Sequence, residues 1–368
     1  MRPEPNFPDI VPHFNLEGEF IRAEPYGFGH INDTFAAYFR KANGESHRYL
    51  MQRINQFVFR DIEGLMRNIA AVTAHLRQKI IQAGGDPNRE TLTLIPTTED
   101  GAFFRTSDGD CWRTYIFIED AQAYEMVMSL NQVFNAAKAF GDFQRLLADF
   151  PVDKLHETIP GFHHTAKRFG AFAEAVQRDV KNRASTALAE IRFVEERAGD
   201  SSIIVDLLLQ GILSTRVTHN DTKFNNIMID NETGKGICVI DLDTVMPGSP
   251  LYDFGDAVRY GANTAVEDER DLAKVNIDLE IYDRFVAGYL ESARGFLTQE
   301  EVKLLSFSAK LMTFECGLRF LTDYLNGDAY YKTHRENHNL DRCRTQFAMV
   351  ADMESKFDQM EKIVEQYR

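Results

Sequence analysis

The sequence has few of the features that identify secreted, membrane or metal-cluster proteins. Its four cysteines are scattered without a C-x-x-C pair, so they predict neither a zinc site nor a disulfide framework. No run of about 18 uncharged apolar residues occurs, and the first residues contain no apolar segment of signal-peptide length. Internal repeats and low-complexity segments are also absent. We therefore expect a cytoplasmic protein with reduced thiols and no membrane partner.

Positive charge is scarce as well. The chain has 41 Lys and Arg against 56 Asp and Glu, which gives a net charge of -15 at pH 7. A surface that binds nucleic acid or an anionic membrane has to be basic, so this balance argues against both partners. It does not argue against ATP, because a bound magnesium ion supplies positive charge locally. The length of 368 residues, with 44% apolar and 26% charged residues, is that of a globular protein with room for two lobes.

Periodicity predicts a β-rich first third followed by helices. Gly-Gly-Asp-Pro ends an amphipathic helix predicted over residues 61–82, and the segments beyond the first third are mostly helical. We expect a five-stranded antiparallel sheet with one helix at the start of the chain. The strand-like runs are residues 19–23, 34–39, 48–54, 91–95, 102–105 and 111–118.

One stretch, residues 217–256, concentrates polar residues in a recognisable order. It reads VTHNDTKFNNIMIDNETGKGICVIDLDTVMPGSPLYDFGD. Two apolar runs, 227–229 and 237–240, flank the turn-rich segment NETGKG, which predicts a β-hairpin. Asn226 stands where the first strand begins and Asp241 where the second ends. The hairpin therefore brings these two side chains to one end of a single element, close to Asp221.

This arrangement meets the requirements of phosphoryl transfer. One carboxylate must orient the attacking hydroxyl and accept its proton, while a second carboxylate and an amide oxygen hold magnesium against the phosphates. Asp221 fits the first role, Asn226 and Asp241 fit the second, and Lys223 can neutralise charge on the transferred group. The order His219-x-Asp-x-Lys-x-x-Asn is that of the catalytic loop in the protein-kinase fold. A lone Asp or Asn in a loop is usually a turn residue, but the combined spacing favours the functional interpretation.

These motifs resemble those of the aminoglycoside phosphotransferase and choline kinase superfamily, relatives of protein kinases that phosphorylate small molecules. The longer segments THNDTKFNNIMID, GKGICVIDLDTVMPGSPLYDFGDAVR, GLRFLTDYLNGD and HRENHNLDRCRTQF are similar to the N-acetylhexosamine 1-kinases, and the similarity extends through most of the chain. The resemblance implies a two-lobed α+β protein-kinase-like fold. It places a small antiparallel β lobe for nucleotide binding at residues 1–118 and a mainly helical catalytic and substrate-binding lobe at residues 119–368.

The same resemblance implies an activity. It indicates a kinase with ATP as co-substrate, Mg²⁺ as cofactor and the anomeric hydroxyl of an N-acetylhexosamine, either GlcNAc or GalNAc, as acceptor. A choline- or aminoglycoside-type kinase is the alternative within the superfamily. A catalytically inactive nucleotide-binding module is a second alternative, because one expected lysine is missing. The sequence leaves the oligomeric state open.

The missing lysine belongs to the predicted nucleotide site. Gly27 and Gly29 lie in a loop whose backbone could approach the phosphates, although the full glycine pattern of kinases is absent. Gln52 occupies the aligned lysine position and Arg53 follows it. Adjacent strand residues face opposite sides, so only one can point into the cleft. A guanidinium suits phosphate better than an amide does, but the alignment favours Gln52, and both remain candidates. Glu119 lies in the predicted hinge, whose backbone would bind adenine.

The resemblance also assigns supporting roles. It places His219 and Asp253 at the base of the catalytic loop, which Asp253 would brace through backbone amides. Capping of the helix that follows is compatible with this role. Asp243 stands where kinases carry a glycine, so it is a candidate for contact with metal, substrate or solvent.

Three charged residues, Glu315, Arg319 and Asp323, recur at four-residue spacing on one helix face. Such a ladder is usually a surface salt-bridge row, which stabilises a helix by about 0.2–0.5 kcal/mol per pair. The ladder also lies in the segment that resembles sugar 1-kinases. Arg319 and Asp323 are therefore candidates for binding the acceptor.

Overall fold

The structure, a computed structural model, describes residues 4–27, 31–124 and 129–368. Gly29 lies outside the described residues. The strands are β1 (Glu19–Pro25), β2 (Asp33–Arg40), β3 (Ser46–Arg53), β4 (Phe104–Arg105), β5 (Cys111–Ile116), β6 (Ala121–Gln122), β7 (Arg216–Thr218), β8 (Ile227–Asp230), β9 (Gly236–Val239) and β10 (Met246–Gly248). The helices are α1 (Phe7–Ile10), α2 (Ile62–Gln82), α3 (Leu130–Leu146), α4 (Thr165–Arg178), α5 (Leu188–Glu195), α6 (Ile203–Leu209), α7 (Pro250–Gly261), α8 (Leu279–Ala293), α9 (Gln299–Lys303), α10 (Leu305–Asn326), α11 (His338–Ser355) and α12 (Phe357–Tyr367).

The first third of the chain forms a five-stranded sheet in the order β1-β2-β3-β5-β4, with all pairs antiparallel. This confirms the predicted small β lobe with one long helix. Asp61 caps α2 by accepting a hydrogen bond from the Gly64 amide at 2.9 Å. The strand predicted over residues 91–95 is wrong as a regular element, because its pairing with β5 includes only the isolated bridge Leu94–Tyr115. The apolar stripe of α2 is buried at Ile62, Leu65, Ile69, Val72, Leu76 and Ile80.

The two faces of this sheet pack in different cores. One face joins α2 and continues into the large hydrophobic core of the helical part. The other face, around Phe39, Met51 and Trp112, closes over α1 and the segment that follows it. A residue on β3 or β5 therefore faces either the helical part of the molecule or this outer core, according to its position in the alternation.

The predicted hairpin forms from β8 and β9, which pair antiparallel with Ile227 opposite Val239. Short strands β7 and β10 pair beside it, with Thr218 opposite Met246. The segment between β7 and β8 is therefore held at both ends by strand pairing. This segment, residues 219–226, is called the catalytic loop below.

The helical part is built around α10, which packs against α4, α7 and α11. The crossing of α7 and α10 is close, since a Cβ at Gly255 would collide with the Ser308 carbonyl oxygen. The mixed α+β fold with an antiparallel sheet and a helical remainder confirms the expected fold class. No helix within the described residues is long and apolar enough to cross a membrane.

A buried amide joins α2 to the helical part. Asn68 is 1% exposed, and its side chain donates to the carbonyl oxygens of His156 and Val245 at 2.8 and 2.9 Å. It also accepts from the His156 amide at 2.8 Å. These bonds fix the position of the small-lobe helix over the segment that follows the hairpin.

Candidate active site

The carboxylate of Asp253, in the first turn of α7, holds the start of the catalytic loop. It accepts from the backbone amides of His219 and Asn220 at 2.9 and 2.7 Å and from Gln144 Nε2 at 2.8 Å. Thr222 Oγ1 donates to the Asp253 carbonyl at 2.5 Å. Asp253 is 2% exposed, so these bonds satisfy a carboxylate that burial would otherwise penalise. The loop is thereby attached to α7 at three of its residues, His219, Asn220 and Thr222.

His219 joins the same loop to the hairpin. Its Nε2 donates to the Ile240 carbonyl at 2.8 Å and its Nδ1 accepts from the Asp221 amide at 3.2 Å. One nitrogen donates and the other accepts, which defines a neutral ring with its hydrogen on Nε2. Asn220 has a left-handed backbone with φ 65°, and its side chain donates to the Thr244 carbonyl at 2.8 Å. Both residues are used to shape the loop.

Asp221, Lys223 and Asn226 lie together at the end of the loop. Lys223 Nζ is 2.7 Å from Asp221 Oδ1, and Asn226 Nδ2 donates to the Asp221 carbonyl at 2.8 Å. Because Nδ2 makes this bond, the amide oxygen of Asn226 is the atom that can face a cation. Burial opposes the charge of Lys223, but Asp221 and Asp256 raise the pKa of its ammonium above the ordinary value. The lysine is therefore held charged beside the carboxylate.

Asp241 lies two residues beyond the end of β9 and has a left-handed backbone with φ 60°. Burial, and then the negative charges of Asp243 and Asp221, raise the pKa of Asp241 from 3.8 to about 7. Such crowding of carboxylates is relieved by a cation. No three His, Cys, Asp or Glu side chains converge on one point in the described part of the chain. A Mg²⁺ ion would instead be held by one or two protein oxygens together with the nucleotide phosphates, as is usual for this ion.

Arg53 does not face this cluster, so its assignment to nucleotide binding is wrong. Its Nε donates to Asp33 Oδ2 at 2.8 Å and its Nη1 to Asp110 Oδ2 at 3.1 Å. The guanidinium also lies near the Trp112 ring, on the outer face of the sheet. The physical reason is the alternation of β3, which sends Gln52 to one face and Arg53 to the other. Two carboxylates on the outer face then pair with the arginine.

Gln52 faces the helical part of the molecule and contacts a residue that the sequence did not single out. Its Oε1 accepts from Arg113 Nε at 2.9 Å, and its Nε2 donates to Thr34 Oγ1 at 3.0 Å. Arg113 Nη1 lies 2.5 Å from Asp243 Oδ1. Burial opposes the guanidinium charge, but Asp243 and Asp241 raise the pKa of Arg113 above the ordinary value. The only sign of this residue in the sequence is an arginine inside the otherwise uncharged strand CWRTYI.

Asp243 itself is turned toward the small lobe. Besides Arg113 it binds Asn32, whose Nδ2 donates to Asp243 Oδ2 at 2.6 Å. Asn32 Oδ1 in turn accepts from the Asn55 amide at 2.9 Å. Asp243 is 2% exposed, and its oxygens face the side chains of Arg113 and Asn32. Its assignment to the acceptor site stays a prediction. Gly27, at the start of the glycine-containing loop, has φ 79° and open space where a Cβ would lie.

Glu119 lies at the surface between the sheet and β6. Its carboxylate pairs with Arg48, and its carbonyl oxygen accepts from Arg89 Nη1 at 2.6 Å. The Arg48 guanidinium lies 3.8 Å from the centre of the Phe117 ring, and Tyr26 packs edge-on against that ring at 5.0 Å. The Glu119 side chain therefore stabilises the connection between the sheet and β6, next to the rings of Tyr26 and Phe117.

The ladder of Glu315, Arg319 and Asp323 is not a surface row. Glu315 is 1% exposed; its carboxylate binds His163 Nδ1 at 2.8 Å and accepts from Thr165 Oγ1 at 2.5 Å. The interpretation of these residues as a surface salt-bridge row is wrong. Other elements cover α10 on several sides, so a polar stripe on this helix can be buried.

Asp323 accepts four hydrogen bonds, so its carboxylate is filled. The backbone amides of residues 329, 330 and 331 donate to it at 2.9, 2.8 and 2.9 Å. Asn339 Nδ2 donates at 2.9 Å. Direct binding of a substrate by Asp323 is therefore corrected to the anchoring of the loop that carries Tyr330 and Tyr331.

Arg319 is packed between aromatic rings. Its guanidinium lies 5.3 Å from the Phe162 ring centre and 5.8 Å from that of Tyr331. A second arginine, Arg168, donates from Nη2 to the Phe162 carbonyl at 3.0 Å. Burial, and then the charge of Arg319, lower the pKa of Arg168. This group of two guanidiniums and two rings lies beside the catalytic loop. His163, the residue after Phe162, has its Nε2 at 3.1 Å from the Asn220 carbonyl.

The fold and the loop geometry together define a phosphotransferase with a protein-kinase-like architecture. A sequence profile described as the phosphotransferase enzyme family, APH, matches residues 29–296. The chain belongs to this family. It is a small-molecule kinase of the aminoglycoside phosphotransferase and choline kinase superfamily, which transfers a phosphoryl group to a hydroxyl acceptor.

Solved structures show the same fold at low identity. An aminoglycoside phosphotransferase from Alicyclobacillus acidocaldarius is 11% identical, with all of this chain and 98% of that chain covered and a TM-score of 0.65. An ethanolamine kinase from Plasmodium vivax is 15% identical, covering 88% and 82% with a TM-score of 0.54. A choline kinase from Cryptosporidium parvum is 16% identical, covering 94% and 92% with a TM-score of 0.53. The fold therefore spans kinases with different acceptors.

Proposed function

We propose that this kinase transfers the γ-phosphoryl group of ATP, with Mg²⁺ as cofactor, to the anomeric hydroxyl of an N-acetylhexosamine. The observation that carries the reaction type is the cluster of Asp221, Lys223, Asn226 and Asp241 at one end of the hairpin. The choice of acceptor is supported by the resemblance of the longer segments to sugar 1-kinases and by the side chains around Arg319.

Each member of the cluster has a distinct role in this reaction. Asp221 orients the acceptor hydroxyl and takes its proton, while Lys223 stabilises negative charge on the transferred group. The oxygens of Asn226 and Asp241 would hold Mg²⁺, which neutralises phosphate charge when bound. His219 stays neutral and structural, since both of its nitrogens are engaged by backbone groups.

The nucleotide would lie between the sheet and the hairpin. The backbone next to Glu119 is the candidate for adenine, beside the rings of Tyr26 and Phe117. The loop with Gly27 and Gly29 is the candidate cover for the phosphates. Gln52 contributes to this site through Arg113, its hydrogen-bonded partner across β3 and β5.

The side chains around Arg319 suit a neutral sugar. Aromatic rings can pack against the apolar face of a pyranose, and guanidinium donors can bind its hydroxyl and amide oxygens. Phe162, Tyr331 and Arg319 offer both kinds of group side by side. The His163 contact with the Asn220 carbonyl brings this face next to the residue that precedes Asp221. An acceptor held there would be adjacent to the proposed base.

A cationic acceptor is disfavoured by the positive charges of the side chains around Arg319. Arg168 and Arg319 are near enough for the charge of one to lower the pKa of the other, so a choline or aminoglycoside cation would add to this repulsion. An inactive nucleotide-binding module is disfavoured by the intact cluster at the hairpin.

A substrate panel tests the proposal. The protein with Mg²⁺ and ATP is incubated with GlcNAc, GalNAc, choline, ethanolamine and an aminoglycoside, and products are identified by phosphorus NMR. We expect a sugar 1-phosphate. The methyl glycoside of the same sugar, which has no free anomeric hydroxyl, should not react, and the Asp221→Asn variant controls for contaminating kinases. Phosphorylation of the methyl glycoside, or of choline in preference to the sugars, would refute the assignment.

A further inference from the structure

We propose that Arg113 of β5 supplies the fixed positive charge that the β3 lysine provides in kinases, and that Gln52 holds its guanidinium in place. This inference rests on the proposed use of a nucleoside triphosphate, but not on the identity of the acceptor. It adds a phosphate-binding residue that lies outside the motifs recognised in the sequence.

The register of the sheet places Arg113 directly beside the lysine position. Gln52 and Arg113 are paired across β3 and β5, and the Gln52 amide contacts Arg113 Nε at 2.9 Å. A lysine side chain is one bond longer than a glutamine side chain. The Arg113 guanidinium therefore occupies the region that the ammonium of a lysine at position 52 would reach.

The guanidinium of Arg113 contacts residues from two other parts of the chain, the segment after β9 and helix α2. Its Nη1 lies 2.5 Å from Asp243 Oδ1, two residues beyond the candidate metal ligand Asp241. From α2 it meets the sulfur of Met66 at 3.9 Å, whereas Glu63 of that helix pairs with Arg105 at the surface. The charge of Arg113 is thus directed toward the segment where the phosphates and the metal are expected.

The chemistry of the side chain allows a further contact. Arginine has five N–H donors in a planar fork, and this geometry matches two oxygens of a phosphate. Gln52 occupies Nε and Asp243 lies at Nη1. A phosphate oxygen can therefore be bound while Gln52 keeps the plane of the fork fixed. Arg113 is 1% exposed, and a charge in so dry a site acts on a phosphate more strongly than a surface lysine would.

Calorimetry with Mg²⁺ and ADP, and separately with adenosine, tests this role without any acceptor. Arg113→Met should weaken Mg·ADP binding by about 10- to 100-fold, the effect typical of a lost charged hydrogen bond. Adenosine binding should be unchanged, because adenosine has no phosphate. Arg113→Lys should retain most of the affinity. Since no acceptor is present, a wrong sugar assignment would leave these results as they are.

Two further variants separate phosphate binding from structural support. Arg53→Met is the matched control, since Arg53 is also a buried arginine of the sheet with carboxylate partners but faces the outer core. It should lose stability and keep its affinity for Mg·ADP. Gln52→Lys introduced into Arg113→Met should restore Mg·ADP binding by returning a cation to β3. If Arg113→Met folds poorly, the double variant Arg113→Met/Asp243→Asn is compared instead of the single variant, because it removes both buried charges.

A structural role alone predicts a different pattern. Arg113→Met would then lose thermal stability as Arg53→Met does, with Mg·ADP affinity unchanged or reduced equally for adenosine. Either of these results, or a failure of Gln52→Lys to raise the Mg·ADP affinity of the Arg113 variant, would overturn the proposal.

Discussion

The imidazole of His163 and the carboxylate of Glu315 form a buried pair, with Nδ1 2.8 Å from Oε1. The other ring nitrogen, Nε2, lies 3.1 Å from the Asn220 carbonyl. A carboxylate and a carbonyl only accept hydrogen bonds, so the ring makes both contacts only when both nitrogens carry hydrogen. The pair therefore connects α10 to the catalytic loop through a cation.

Removal of this cation should be costly. We expect His163→Ala to lower the free energy of unfolding by about 3–5 kcal/mol, because the buried Glu315 carboxylate loses its charged partner. Urea unfolding measures the change. The double variant His163→Ala/Glu315→Gln should recover part of the loss, since a neutral amide costs less to bury than a carboxylate. A double variant no more stable than the single one would contradict the ion pair.

Asp221 and Asp241 should fail differently when each is changed to Asn. Loss of a positioned base lowers the rate by roughly 10²- to 10⁴-fold, so Asp221→Asn should bind Mg·ADP normally while turnover collapses. Asp241→Asn should instead weaken nucleotide binding that depends on metal. Calorimetry with and without Mg²⁺ distinguishes the two. An unchanged Mg·ADP affinity in the Asp241 variant would argue against Asp241 as a metal ligand.

The pKa of Asp241 predicts how stability depends on pH. Burial, and then Asp243 and Asp221, raise this pKa from 3.8 to about 7, so the folded state binds more protons than the unfolded state between these values. The contribution of Asp241 to stability should therefore fall as the pH rises through this window. Thermal unfolding in a chelator at about pH 5 and pH 8 measures the effect, with Asp241→Asn as the reference. The stability difference between the two proteins should change with pH, and a constant difference would show that Asp241 does not titrate there.

The face around Arg319 makes a prediction about the acceptor. Arg319→Ala should raise the KM for the N-acetylhexosamine while leaving the KM for ATP nearly unchanged, because the lost donors bind only the sugar. Asp323→Ala should raise the same KM indirectly, by releasing the loop that carries Tyr331, and should also lower stability. Tyr331→Ala then serves as the matched variant for the loop. Kinetic silence of Arg319→Ala would remove this face from the acceptor site.

Local spacing is what made the hairpin and its cluster predictable. Asp221, Asn226 and Asp241 lie in one loop and one hairpin, so chain connectivity alone brings them to the same end. The amphipathic stripe of α2 is predictable for the same reason, because it depends on neighbours within one helix.

Arg113 and Asp323 show why the remainder was not predictable. The place of Arg113 depends on the register of β3 against β5, and the two paired residues are 61 positions apart in the chain. Helical spacing shows that Glu315, Arg319 and Asp323 share a face, but it does not show which element covers that face. Here the cover comes from the segments around Thr165 and residues 328–339, which only the tertiary structure brings near.

The bonds from Asp253 to the His219 and Asn220 amides also impose an order on folding. The catalytic loop is synthesised before Asp253, which accepts from its amides. In the folded protein α7 packs closely on α10, which is synthesised later still. During synthesis the hairpin can pair early, because its strands are adjacent in the chain. The two loop amides have no acceptor from Asp253 until α7 has been synthesised and positioned. The nascent protein should consequently carry its motif residues without catalytic competence until α7 and α10 have been synthesised and have packed together.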